Sequence, residues 1–174
     1  MISLEHVISI VVLNCGYTSP SIEKERGQYD DIFASLLLPA AERVSARIAK
    51  TTKLKFNIKG YDTVKQVYPL TLQGIDAIII SGSPNGAYQD LEWIRKLDGF
   101  VSYVYHEHPS IKLYGHPEFD QFINTECLKL VGKRVGWDAD FTSSAIAAAR
   151  ARDDAAIAAD IMVAFFLDME PGNV

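Results

Sequence analysis

Val7-Ile8-Ser9-Ile10-Val11-Val12-Leu13 is a nearly unbroken run of β-branched and aliphatic residues. Such a run suits a strand covered on both faces, as in a parallel sheet, because no position is kept polar for solvent. Asn14-Cys15-Gly16-Tyr17-Thr18-Ser19-Pro20 follows and reads as a loop. A second run of the same kind, Asp76-Ala77-Ile78-Ile79-Ile80-Ser81, reads as another central strand and opens into the turn-rich Gly82-Ser83-Pro84-Asn85-Gly86. Leu54-Lys55-Phe56-Asn57-Ile58 alternates and predicts a strand, and Ser110-Ile111-Lys112-Leu113-Tyr114-Gly115 predicts one more.

Helical spacing fills the intervals. From Tyr29 to Ala49, Ile32, Phe33, Leu36, Leu37, Ala40, Val44 and Ile48 recur on one face. Pro39 interrupts that stretch, so the helix is expected to kink or divide there. Leu91 to Tyr105 repeats the pattern, and Phe119 to Leu130 fits a short helix. Phe141-Thr142-Ser143-Ser144 offers caps for an Ala-rich helix from about Ala145 to Asp168. The order strand, helix, strand, strand, helix, strand, helix predicts an α/β, flavodoxin-like three-layer domain with a small, mainly parallel sheet. Right-handed crossovers put helices on both faces, and binding sites gather beyond the carboxyl ends of the strands. The loops Asn14 to Pro20, Gly82 to Tyr88 and Gly115 to Phe119 lie there.

The 174 residues suffice for one core, so a single domain spanning 1–174 is expected. Hydrophobic residues at 48% and charged residues at 22% make a globular balance, which excludes a disordered chain. A net charge of −5 without a dense Lys/Arg run argues against nucleic acid, whose counterions only a basic surface displaces. A small anion at a helix start is still compatible. Cys15 and Cys127 make neither a disulfide framework nor a CxxC metal knuckle, and thiols fit a reducing compartment. Val7–Leu13 and Ile161–Leu167 are too short to span a bilayer, and no cationic leader precedes the first run. The expectation is a soluble cytoplasmic protein with no membrane partner, cofactor or metal.

Two segments carry a resemblance. Ile78 to Asp90, followed by Trp93-Ile94, resembles the strand and Gly loop of the class I glutamine amidotransferase superfamily. Gly115-His116-Pro117-Glu118-Phe119 resembles that family's GHPEF motif. The likeness is to stand-alone fungal members similar to the glutaminase part of GMP synthase. Tyr29-Asp30-Asp31-Ile32-Phe33 and the closing Ala164-Phe165-Phe166-Leu167 add to it. The resemblance implies a shortened class I glutamine amidotransferase fold. It also implies an oxyanion-hole amide from the Gly82-Ser83 loop, and His116 and Glu118 as remnants of a Cys-His-Glu triad.

The departure from the family pattern is chemical. The family's nucleophile sits in a sharp G-x-C-x-G-H-Q turn after a strand ending in Gly. Here Ile111-Lys112-Leu113-Tyr114-Gly115 resembles that strand, and His116 follows at once. Roughly 60 residues, on the scale of a small domain's parts, are absent between the two motifs. Thioester formation needs a thiolate. Without it, His116 and Glu118 have nothing to activate in that reaction, so no Cys-dependent glutaminase activity is expected.

Each candidate residue has a structural reading beside the functional one. His116 and Glu118 are an acid/base pair or inherited packing residues. Gly82 and Ser83 present amides to an oxyanion or ligand, or simply turn the chain. Cys15 is an alternative thiol or a small core residue, and Cys127 reads as core. His106-Glu107-His108 reads as a solvated helix end, since it follows a helix and precedes Pro109. Ala145, Ala148, Ala149, Ala155, Ala156, Ala158 and Ala159 allow close helix packing, and Phe165 and Phe166 could anchor a partner. Three functions follow as expectations. One is a glutamine amidotransferase-like protein that binds a small metabolite or a partner in the former active-site cleft. Another is a repurposed cyclase, isomerase or lyase using His116 and Glu118. The third is a structural or regulatory subunit that pairs with another protein or with a second copy of itself as a homodimer.

Overall fold

A computed structural model describes residues 4–48, 52–115, 120–150 and 155–169. The apolar run that opens the chain forms β1 (Leu4–Asn14) at the interior of a four-stranded sheet. Its neighbours are β2 (Thr52–Asp62) and β3 (Ala77–Ile80), and β4 (Lys112–Gly115) closes the far edge. The order is β2-β1-β3-β4, and all three pairings are parallel. Register runs Leu4 to Thr52 through Asn14 to Asp62, then Leu13 to Ile80 and Ile80 to Gly115. Asp76 and Ser81 extend β3 at both ends, because the Asp76 amide donates to the Ser9 carbonyl and the Ser81 amide to the Leu13 carbonyl.

The period-2 geometry of β1 divides the interior in two. Ile8, Ile10 and Val12 face one core with Ala77 and Ile79. Val11 and Leu13 face the other with Ile78. On the first side lie α2 (Tyr29–Ile48), α4 (Gln121–Val135) and α6 (Ala155–Phe166), which contribute Phe33, Leu37, Val44, Ile123, Met162 and Val163. On the second side lies α3 (Glu92–Glu107), which contributes Val104. The flavodoxin-like, three-layer α/β arrangement expected from the sequence is the one observed.

Several local expectations are corrected. The loop after β1 ends at Pro20 as expected, but the residues that follow form a short helix the pattern did not indicate, α1 (Pro20–Arg26). Ser19 caps it by accepting from the Ile22 amide, and Pro20 begins it, where no amide is needed. The helix around Pro39 does not divide: α2 runs continuously through it. Pro39 is exposed while Leu37, Ala40, Ala41 and Val44 are buried, so water reaches the carbonyl that the ring frees and packing holds the turn. The Ala-rich helix expected from Ala145 to Asp168 is two helices, α5 (Ala139–Ala149) and α6, with 151–154 outside the described residues. Phe141 to Ser144 lie inside α5 rather than capping it. Asp138 caps that helix by accepting from the Phe141 amide at 2.7 Å.

α4 is longer than its pattern indicated. Asp120 caps it through the Ile123 amide at 2.8 Å, and Gly136 ends it in the left-handed region at φ 74°, where a side chain would be strained. α5 packs back on α4: the Trp137 and Phe141 rings meet edge to face, and Thr142 sits against Gly132. None of the described helices is long and apolar enough to cross a membrane.

Candidate functional site

In a sheet ordered β2-β1-β3-β4, the chain leaves β1 toward one side and β3 toward the other. The crevice between their carboxyl ends is therefore open to a ligand. Here the two exits touch. A Cβ added to Gly16 would lie 2.8 Å from the Pro84 Cδ, so only glycine lets the β1 and β3 loops approach this closely. The Cys15 amide ties the same point together by donating to Ser81 Oγ at 2.9 Å, and that hydroxyl donates to the Gly82 carbonyl at 3.0 Å.

Beside this junction is a cavity of about 400 Å³. Tyr17, Thr18 and Ser19 wall it from the β1 exit, and Ser83 and Pro84 from the β3 exit. Ile22 of α1 and Tyr29 of α2 form its floor, where they enter the first core. One face of α4 closes it with Ile123, Cys127, Leu130, Val131 and Arg134. These five recur at i, i+4, i+7, i+8 and i+11, a single helical stripe. The sequence places two of the walls, since Tyr17, Thr18 and Ser19 belong to the expected loop 14–20 and Ser83 and Pro84 to the expected loop 82–88, but it does not bring Ile22, Tyr29 or the face of α4 to the site. The stripe on α4 and the Ser19-Pro20 cap were the available signals for the rest.

The polar groups of the wall are mostly engaged within the protein. The Tyr17 hydroxyl donates to Asp62 Oδ2 at 2.8 Å, and the Thr18 hydroxyl donates to the Gly27 carbonyl at 3.0 Å. Ser19 Oγ accepts from Ile22, and Ser83 Oγ accepts from the Asn85 amide at 3.1 Å. Cys127 is half-buried and borders the core as well as the cavity, so the reading of it as core is only part of its place. Burial, and then the Glu126 carboxylate beside it, push its thiol above the ordinary cysteine value. A neutral thiol is a poor nucleophile and an apolar wall.

Gly82 is buried and Ser83 is exposed at the rim. Cys15 is buried at the same end of the sheet but does not line the cavity. It continues the parity of Val11 and Leu13, toward the side of α3. Its thiol donates to the Leu13 carbonyl at 3.4 Å and lies 3.6 Å from the Thr63 hydroxyl. Tyr68 belongs to that side too. Its hydroxyl is buried without a hydrogen-bond partner among the described residues, and burial, with Cys15 adding to it, pushes its pKa up to about 12. His116 and Glu118 lie outside the described residues; in sequence they follow Gly115, the last residue of β4.

His106 and His108 sit at the end of α3, where His108 stacks edge-on against Tyr103 and its Nε2 is 3.1 Å from the Tyr103 hydroxyl. Among the described residues no group of three His, Cys, Asp or Glu side chains is disposed to hold a metal.

The chain is 35% identical over 109 residues to a curated Schizosaccharomyces pombe protein whose name describes it as glutamine amidotransferase-like. The match takes in 61% of this chain and 42% of that protein, so the chain spans about two fifths of the length of the curated relative it matches. No family model matches the chain, and no solved structure does.

Proposed function

We propose that this chain, similar over 109 residues to a glutamine amidotransferase-like protein, is itself of that kind and binds a small molecule in the cleft beyond β1 and β3 without hydrolysing glutamine through a cysteine. One observation carries the reading: a cavity of about 400 Å³ stands at the crevice between β1 and β3, walled by both loop exits. That volume is in the range of small-molecule sites.

The chemistry of the thiols supports the absence of the reaction. Gly115 is followed by His116, so no sulfur stands in the chain where the family's elbow carries one. Cys127 faces the cavity with its thiol held neutral, and Cys15 is buried with its proton on a carbonyl. Neither is presented as a thiolate for attack on an amide carbon. The loop that carries Gly82 and Ser83 serves as wall and rim of the site.

The test measures ammonia release from glutamine together with acylation by a glutamine-analogue electrophile. The expected result is no release above the uncatalysed rate and no cysteine modified faster by the analogue than by a simple alkylating reagent of the same reactivity. Turnover at an ordinary enzyme rate, about 1 per second or faster, sinks the reading, as does analogue-accelerated acylation of Cys15 or Cys127 that glutamine competes away.

A further inference from the structure

We propose that the cleft ligand is an apolar monocarboxylate, an acid with a branched aliphatic or aromatic body, whose carboxylate is held by Arg134. The inference rests on the binding reading above and adds the ligand's class.

Charge decides one end of the ligand. Arg134 lines the cavity and makes no ion pair or hydrogen bond among the described residues. Other arginines of the chain are engaged: Arg26 with Asp120, Arg43 and Arg47 with Asp160. A guanidinium left open on a cavity wall offers a planar fork of donors, which suits a carboxylate. The chain's net charge of −5 does not draw anions to its surface in general, so recognition would come from this local cation.

Apolar surface decides the other end. Leu130 and Val131 are 50% and 44% exposed, yet they border a cavity rather than a convex surface. Ile22, Tyr29 and Ile123 continue the apolar wall inward. The hydroxyls of Tyr17, Thr18 and Ser19 are already committed to protein partners. A polar ligand body, such as an amide side chain, would lose water here and find few free partners. An apolar body loses only its contact with water.

Arg134 is exposed at the end of α4, so its replacement should leave the fold intact, which an unchanged thermal midpoint verifies. The experiment is calorimetric titration of the full chain with 3-phenylpropanoate, its uncharged amide, and glutamate, alongside the rate of Cys127 alkylation. The expected result is that 3-phenylpropanoate binds and protects Cys127, that Arg134→Gln weakens it about tenfold or more, and that the amide's affinity does not change in that variant. Equal affinity of acid and amide, or no loss in Arg134→Gln, overturns the ligand class while leaving a binding cleft standing. Tighter binding of glutamate than of 3-phenylpropanoate overturns the apolar body. No binding by any of the three, with Cys127 alkylated at an unchanged rate, overturns this proposal. If Val131→Trp, which fills the cavity, also leaves a wider metabolite panel unaffected, the cleft reading falls separately.

Discussion

At the residue scale, Cys127 and Cys15 differ by access and by proton. Cys127 opens on the cavity, and burial with the adjacent Glu126 carboxylate raises its pKa. The folded state therefore favours the neutral thiol. Stability from this group is fully present below the ordinary cysteine pKa and is lost as pH rises through the raised one. Alkylation of the native chain by iodoacetamide should fall on Cys127, with its rate still climbing above the pH where a solvated thiol has levelled off. Cys15, 2% exposed, should react only when the chain opens. A plateau near neutral pH, or equal labelling of both sulfurs, would contradict this assignment. The sequence placed Cys15 correctly at the end of β1, yet could not say toward which side of the sheet its sulfur lies. That depends on where the strand's parity ends and on Thr63 and Ser81, 48 and 66 residues away.

At the element scale, α2 and α6 are joined by a shared carboxylate. Asp160 of α6 is 7% exposed and accepts from Arg43 Nε at 2.8 Å, with Arg43 Nη2 at 2.6 Å and Arg47 Nη2 at 3.3 Å. Both arginines keep part of their surface in water, at 38% and 46%. Removing the acid leaves them able to rehydrate, which holds the cost below that of a fully buried pair. Asp160→Ala should lower stability by about 1–2 kcal/mol in a urea melt, a charge-assisted hydrogen-bond loss. An unchanged midpoint would show that apolar packing alone docks α6. None of this was readable in the chain. Asp160 looked like one polar residue in an Ala-rich helix, and its partners lie more than a hundred positions earlier. The N-caps Ser19, Asp120 and Asp138, by contrast, are local chemistry visible in any sequence, although the cap expected for α5 was placed among 141–144.

At the scale of the whole molecule, one thin sheet serves two cores. Phe33 fills the side of α2 and Val104 the side of α3, and β1 and β3 contribute alternate residues to both. Damage to either face should therefore be felt through the same strands. Phe33→Ala should cost about 3–5 kcal/mol and Val104→Ala about 1.5–3 kcal/mol, each as a shift of a single cooperative transition. Two transitions, with one moved by each variant, would show that the faces unfold independently. The polar character of the β2 edge fits this thinness. Lys53, Lys55 and Lys59 stand along it, a pattern that discourages pairing with a second sheet.

The sequence alone determined the layer architecture. Unbroken β-branched runs require burial on both faces, and helices at 3.6-residue spacing are what can supply it. It also determined the order of the loops at one sheet end, and the step from Gly115 to His116 with no cysteine between. Only the tertiary structure decided that the β1 and β3 exits meet at Gly16 and Pro84, and that α4 turns Ile123, Cys127, Leu130, Val131 and Arg134 toward that junction. A cavity is a relation between elements distant in the chain. Its walls are set by packing directions that periodicity within one element does not contain.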